Sequence, residues 1–253
     1  MTQCQTLQFS TDSLADISDS LQASLRDMEH QGSLLENSLR KEELLPLDQF
    51  SNDGELSSIG FQELNELGAT PSRVVSDHFP QLHHAQDNGI LKAIPVERSV
   101  EGKRIAVLFS GGPAAGGHNV ILGIHAILGN HNTLLGVLSG PKGLLVGNLS
   151  EITQSDIDAH TNLGGFDFLG SDRTKIKTDT QFEQVRDVVR SHSLDGLIII
   201  GGDDSNTNAA VLANELMDLG CTVVGVPKTI DGDLQVGSFL PISFGFDTAT
   251  KIY

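Results

Sequence analysis

The stretch GLIIIGGDDSNTNAA, residues 196–210, joins an apolar run to two glycines, two adjacent aspartates and a polar segment. A run that is apolar throughout predicts a strand buried on both faces, here residues 197–200. The segment after it has the pattern of a helix from about Asn206 to Leu219. A strand that passes through glycines into a helix is half of a βαβ unit, which indicates an α/β fold with a parallel sheet.

The same pattern continues on both sides of this stretch. Apolar runs predict further strands at 104–109, 133–138 and 222–226, and a helix follows the first of them. A second helix is predicted over 179–192, with its inward face formed by Phe182, Val185, Val188 and Val189. Residues 101–253 are therefore predicted to form an α/β domain, a Rossmann-like parallel sheet flanked by helices.

Residues 1–100 have a different composition. Apolar residues recur at spacings of three and four from Leu14 to Met28. A second helical stretch runs from about Leu34 to Leu45 and stops at Pro46, which cannot continue a helix. Residues 50–100 are mixed and contain scattered glycines and prolines. We predict a helical N-terminal extension over residues 1–100.

The overall charge limits the classes of partner. The 253 residues carry a net charge of −17, which argues against a nucleic-acid surface because phosphate contacts need clustered Lys and Arg. Cys4 and Cys221 are far apart and are interpreted as reduced thiols of a cytosolic protein. No apolar stretch approaches the roughly 20 residues of a membrane span. The prediction is a cytoplasmic protein that binds neither nucleic acid nor membrane.

Three polar loops lie where predicted strands end: after Phe109, after Ile200 and after Val226. Ligands of parallel sheets bind at this edge. The first loop, SGGPAAGG, could let backbone N–H groups approach an anion, or it could be a purely structural turn. It lacks the Gly-Lys-Ser/Thr ending of a Walker loop and the spacing of a dinucleotide fingerprint.

The second and third loops carry the charged candidates. Asp203 and Asp204 could hold Mg²⁺, which prefers oxygen ligands and bridges phosphates, or could cap the following helix. One aspartate would suffice for a cap, so the second indicates another role. In PKTIDGD, Asp231 is a candidate general base and Lys228 a candidate charge stabiliser, the alternative being a solvated surface turn. His78, His83 and His84 lack the spacing of a metal site.

Five segments together resemble the phosphofructokinase family over roughly residues 90–253. They are LFSGGPAAGGHNVI (108–121), GGFDFLGSDRTKI (164–176), GGDDSNTNA (201–209), PKTIDGDL (227–234) and SFGFDTATKIY (243–253). In detail the chain is similar to the pyrophosphate-dependent branch of this family, the diphosphate–fructose-6-phosphate 1-phosphotransferases. Within that branch it is similar to the long form, which has an N-terminal extension. ATP-using relatives generally carry Gly at the positions of Asp204 and Lys228.

The resemblance implies a Mg²⁺-dependent, reversible transfer of a phosphoryl group from pyrophosphate to fructose 6-phosphate by a homo-oligomer. Asp203 matches the aspartate associated with Mg²⁺. Asp204 would fill the space of a nucleotide's inner phosphate and repel it, while Lys228 would supply positive charge to pyrophosphate. These residues would then select pyrophosphate over a nucleotide as well as take part in the reaction.

Further roles follow by position from the resemblance. Gly112 and Gly202 match the backbone that meets the donor, and Arg173 matches an arginine that reaches the donor phosphates. Thr229, Ile230 and Asp231 match the segment that contacts fructose 6-phosphate, with Asp231 taking the proton of the 1-hydroxyl. Ala115 stands where relatives usually have Pro, which removes no hydrogen-bond donor.

Alternatives remain at this point. The nearest is an ATP-dependent phosphofructokinase, and from another class a non-catalytic regulatory subunit of a phosphofructokinase complex. Kinases of other acceptors share a Gly-Gly-Asp loop, but PKTIDGD speaks against them. In the family much of the sugar-phosphate site lies in a second domain, so we expect this chain to be an incomplete part of a longer protein.

Overall fold

A computed structural model of the chain describes residues 51–52, 55–56, 58–67, 77, 89–96, 101–161, 163–234 and 243–252. The chain divides into two compact units, residues 1–57 and 58–253. In the first unit, β1 (Ser51–Asn52) and β2 (Glu55–Leu56) form an antiparallel pair. The helices predicted between Leu14 and Leu45, Cys4, and the three histidines at 78, 83 and 84 lie outside the described residues.

The second unit begins with another antiparallel pair, β3 (Ser58–Leu67) and β4 (Gly89–Val96). This departs from the helical extension expected for residues 1–100, because the described residues between 51 and 96 are strand apart from Asp77. The two strands pair across more than 20 residues of chain, so local periodicity carries little information about them.

Within the described residues, the main sheet of the second unit has seven strands: β5 (Arg104–Ser110), β6 (Thr133–Val137), β7 (Leu149–Glu151), β8 (Ser171–Asp172), β9 (Gly196–Gly201), β10 (Thr222–Thr229) and β11 (Phe244–Gly245). Their order is β11-β10-β9-β5-β6-β7, with β8 beside the end of β5. All neighbours are parallel except β6 and β7. The predicted parallel sheet is confirmed, with one antiparallel strand at its edge.

Helices flank both faces of this sheet. They are α1 (Gly117–Leu128), α2 (Gly140–Leu145), α3 (Gln154–His160), α4 (Asp179–His192), α5 (Asp203–Leu216) and α6 (Phe246–Ile252). Within the part of the chain described here, no helix has the length and apolar content needed to cross a membrane.

Two hydrophobic cores form because successive residues of a strand point to opposite faces. Ala106 and Leu108 of β5 belong to the core on the side of α2, α4 and α5. Val107 and Phe109 of the same strand belong to the core on the side of α1 and α3. β9 alternates in the same way, which explains why both strands are apolar throughout in the sequence.

Two of the boundaries that differ from the predicted ones matter for the site. The helix after β9 begins at Asp203, three residues before the predicted Asn206, so both aspartates lie in its first turn. β10 continues to Thr229, beyond the predicted end at Val226, so Lys228 is a strand residue.

The strand register brings four carboxyl ends to one edge of the sheet. Ser110 at the end of β5 is opposite Gly201 of β9 and Asp172 of β8. Gly201 is in turn opposite Pro227 of β10. The three loops predicted to share a sheet edge are therefore neighbours, and the segment after β8 joins them.

Candidate active site

A cleft of about 400 Å³ lies at this edge. Its walls come from four places: residues 110–112 after β5, 173–175 after β8, 202–205 with Asn208 at the start of α5, and Lys228 with Asp231 on and after β10. Each wall follows the carboxyl end of a parallel strand, the position where ligands of such sheets bind.

The glycine-rich loop after β5 needs glycine for two reasons, a left-handed backbone conformation at two positions and close packing at a third. Gly111 and Gly116 have φ of 90° and 103°, a left-handed backbone that other residues rarely adopt. Gly112 faces the cleft, where an added Cβ would lie 3.3 Å from Arg173 Nη2. The structural interpretation of this loop therefore applies to Gly111 and Gly116, while Gly112 allows close approach between the loop and Arg173.

The acidic pair occupies the first turn of α5. Gly202 is the N-cap and has no side-chain capping bond, so neither aspartate serves as the N-cap. Carboxylates in a first helical turn interact favourably with the helix dipole. Both side chains are exposed to the cleft, and Asp204 Oδ2 lies 2.8 Å from Lys175 Nζ.

Hydrogen bonds hold the start of α5 against the ends of β5 and β9. Ser205 Oγ donates to Ser110 Oγ at 2.8 Å. Asn206 Nδ2 lies 2.8 Å from the carbonyl oxygens of both Gly201 and Gly202. The two aspartates are thus presented by a rigid turn, as a preorganised site requires.

Lys228 is a buried cation on the floor of the cleft. Its side chain is 7% exposed, so the alternative of a solvated surface turn is wrong for this residue. Nζ donates to Gly112 O at 2.7 Å and lies 5.6 Å from the centre of the Phe166 ring. Burial lowers the pKa of Lys228 below its ordinary value, an effect that the Asp231 carboxylate opposes. A poorly hydrated cation at this depth interacts strongly with any anion that enters.

The segment after β10 places Asp231 in the cleft. Thr229 is buried, and its Oγ1 donates to Asp233 Oδ1 at 2.7 Å and accepts from Asp231 N–H at 3.0 Å. This pair of bonds orients the turn and leaves the Asp231 side chain exposed. Ile230 is 50% exposed. Of the described residues, Thr229 and Ile230 are not part of the cleft wall, whereas Asp231 is.

Asp172 at the end of β8, with Thr174 and Lys175 after it, completes the site beside Arg173, and these three residues were not predicted from the sequence. The Asp172 carboxylate accepts from Lys142 N–H at 3.0 Å and from Thr174 N–H and Oγ1 at 2.9 Å. Burial acts to raise the pKa of Asp172, but these hydrogen bonds outweigh it and the net direction is downward. An Asp side chain often accepts a hydrogen bond from the backbone N–H two residues on, as Asp172 does from Thr174. This hydrogen bond fixes the backbone that carries the exposed side chains of Arg173 and Lys175.

His118 supports the loop that leads into β8. It is buried, its Nδ1 accepts from Gly165 N–H at 3.2 Å, and its Nε2 lies 3.0 Å from Asp167 Oδ1. Burial lowers the pKa of His118, Asp167 opposes this, and His160 adds to it. If Nδ1 carried a proton, that proton would point at the Gly165 N–H, and Nδ1 could not accept from it. The environment therefore favours the neutral imidazole with Nδ1 unprotonated.

We expect this histidine to make folding stability dependent on pH. The folded state binds its proton more weakly than the unfolded chain, so its stabilisation is full above the ordinary pKa of 6.5 and is lost as the pH falls below that value. His118→Gln should cost about 1 kcal/mol at pH 8 and flatten the fall of stability below pH 6.5. Urea unfolding between pH 8 and pH 5 measures both, with the exposed His131→Gln as control. An unchanged slope would contradict the assignment.

The cleft fits a magnesium ion through Asp203. Mg²⁺ in phosphoryl-transfer sites is held by one or two carboxylates together with water and substrate phosphates. The Asp203 carboxylate is exposed at the cleft, and of the two adjacent aspartates only Asp204 pairs with Lys175. Among the residues that the structure describes, no group of three or more His, Cys, Asp or Glu could hold a metal ion alone. The rest of the coordination would come from water and phosphate.

The chain is similar to known proteins over this same region. Residues 104–253 match the model of the family described as phosphofructokinase. A pyrophosphate–fructose 6-phosphate 1-phosphotransferase of Treponema pallidum (strain Nichols) is 49% identical over 166 residues, which are 63% of this chain and 29% of that protein. A protein of the same name from Entamoeba histolytica is 46% identical over 173 residues, 63% of this chain and 32% of that protein.

A solved structure is similar as well. The crystal structure of pyrophosphate-dependent phosphofructokinase from Marinobacter aquaeolei is 25% identical in sequence, with a TM-score of 0.46. The match covers 57% of this chain and 37% of the chain in that structure. The match with the two relatives named above spans about a third of their length. Because the family model covers more than half of its residues, this chain belongs to the phosphofructokinase family.

Proposed function

We propose that the protein transfers a phosphoryl group reversibly from pyrophosphate to the 1-hydroxyl of fructose 6-phosphate. The observation that carries the proposal is the combination of Asp204 and the buried Lys228 in one cleft with Asp231. The names of the relatives that share 46–49% of their aligned residues with this chain support the same reaction.

The roles follow from what each side chain offers to a phosphoryl transfer, which requires positioning and charge neutralisation. Asp231 accepts the proton of the attacking hydroxyl. Arg173 and Lys228 neutralise charge on the donor, and the Gly112 backbone lies against it. Asp203 would hold Mg²⁺, which would supply positive charge to neutralise the donor.

Donor selectivity follows from the space that Asp204 occupies. Its carboxylate lies at the start of α5, where the helix N-terminus would otherwise favour a phosphate. A nucleotide must place an additional phosphate and a nucleoside in such a cleft, whereas pyrophosphate needs room for two phosphates only. Any charge on Asp204 that is not neutralised would also repel the additional phosphate.

The resemblance also supports a cytoplasmic protein that assembles as a homo-oligomer, and both belong to the proposal. Light scattering of the purified full chain tests the assembly. A second subunit that is required for activity would favour the alternative of a regulatory chain.

The test of the function is the donor. The full chain, as its gene encodes it, is assayed with fructose 6-phosphate, Mg²⁺ and either pyrophosphate or ATP, and formation of fructose 1,6-bisphosphate is followed. We expect kcat/KM with pyrophosphate to exceed that with ATP by about 100-fold or more. Turnover with ATP and none with pyrophosphate would replace the proposal by an ATP-dependent phosphofructokinase.

A further inference from the structure

One ion pair in the cleft is not explained by the roles above. Lys175 Nζ lies 2.8 Å from Asp204 Oδ2, and the two side chains are 59% and 69% exposed. They belong to different walls, since Lys175 follows β8 and Asp204 begins α5. An exposed pair of this kind typically adds little to folding stability. Its position, facing the donor cleft, indicates a role in binding instead.

The charges that line the cleft bear on how this ion pair acts in donor binding. The cations are Arg173, Lys175 and Lys228, and the carboxylates are Asp203, Asp204 and Asp231. Among the described residues, Lys175 is the one cation within 4.0 Å of the Asp204 carboxylate, so without it that carboxylate would face an entering pyrophosphate with no described countercharge beside it. The unbalanced carboxylate would then repel the phosphates of pyrophosphate as well as those of a nucleotide, so a selective site needs this charge to be balanced locally.

We propose that Lys175 is a positioning residue that determines donor specificity through Asp204. Its ammonium neutralises the Asp204 carboxylate and holds it toward the β8 side of the cleft. Asp204 then excludes a nucleotide mainly by the volume it fills, and pyrophosphate can bind beside it. The inference rests on the proposed function and extends it to a residue outside the acidic pair and Lys228.

The test measures KM and kcat for pyrophosphate in the full chain. Lys175→Met keeps the length of the side chain and removes its charge, and we expect it to raise KM for pyrophosphate about 10-fold while kcat changes less than about threefold. Lys175→Arg, which preserves the charge, should restore KM to within about threefold of wild type. Lys177→Met is the matched control, because Lys177 is an exposed lysine two positions away that does not line the cleft.

A double-mutant cycle then asks whether Lys175 acts through Asp204. In an Asp204→Asn background, Lys175→Met should change KM less than about twofold, since no carboxylate remains to be neutralised. An equal rise of KM in both backgrounds would mean that Lys175 contacts the donor itself and would overturn the proposal. An unchanged KM in the single variant would overturn it too.

Wild-type kinetics separate this inference from the proposed function. If the wild-type chain does not use pyrophosphate, the function fails and the inference fails with it. If wild type is active and the Lys175 variants behave like the Lys177 control, only the inference fails. Thermal unfolding of each variant, with Lys175→Gln as a second uncharged replacement, shows that a change in KM does not come from misfolding.

Discussion

Asp231→Asn is expected to lower kcat by about 10²- to 10⁴-fold, the range by which a general base accelerates a reaction. The amide has nearly the same shape as the carboxylate but cannot accept the proton of the attacking hydroxyl. The Asp231 backbone N–H would still donate to Thr229 Oγ1, so the turn should keep its geometry. Steady-state kinetics with pyrophosphate should therefore show a large fall in kcat and changes of KM within about threefold.

Asp233→Asn is the control for this prediction. Asp233 is an exposed carboxylate two residues further along, outside the cleft wall as described, and it accepts a hydrogen bond from Thr229 that an amide oxygen can also accept. We expect it to retain most of its activity. If Asp231→Asn kept more than a tenth of wild-type kcat, another group would have to be the base.

The strands and helices that could be predicted are those whose signals are local. β5 and β9 are apolar throughout because each contributes to both cores, so they were visible as runs. α4 was predicted with its observed bounds, Asp179–His192. It has a complete start signal, a capping box in which Thr178 and Gln181 bond reciprocally, and it places valines inward at helical spacing.

Other elements have weak or distant signals. β7 has three residues and an intermediate-to-exposed pattern, and it pairs antiparallel at the edge of the sheet, so neither length nor periodicity indicated it. α3 also begins with a capping box, Thr153 with Asp156, which a search for such pairs could have found. The antiparallel pair of β3 and β4 depends on pairing between segments far apart in the chain.

The site could be predicted as a set of loops but not as a set of contacts. A parallel sheet brings strand ends together whatever their side chains are, so the meeting of three loops followed from the fold class. The burial of Lys228 depends on the extension of β10 and on Phe166, which comes from a loop more than 60 residues earlier. The pairing of Lys175 with Asp204 likewise joins positions 29 residues apart, and no local pattern indicates it.

Removing Asp204 and Lys228 together is expected to change the donor. Asp204→Gly empties the space at the start of α5, where the N-terminal N–H groups attract phosphate, so we expect kcat/KM with ATP to rise by about 10-fold or more. Lys228→Gly removes the buried cation that lies against Gly112, and the loss of such a charge stabiliser should lower kcat with pyrophosphate by about 10²- to 10³-fold.

Asp204→Asn separates the two ways in which Asp204 can exclude ATP. Asn has nearly the same volume and no charge, so a gain in ATP use with Gly but not with Asn would assign the exclusion to volume, and an equal gain would assign it to charge. Volume is the outcome expected if Lys175 already neutralises the carboxylate at 2.8 Å. The double variant Asp204→Gly with Lys228→Gly tests the mechanism as a whole, through the ratio of kcat/KM for pyrophosphate to kcat/KM for ATP. A ratio equal to that of wild type would contradict the selectivity mechanism, because both residues would then lie in the cleft without discriminating between its donors.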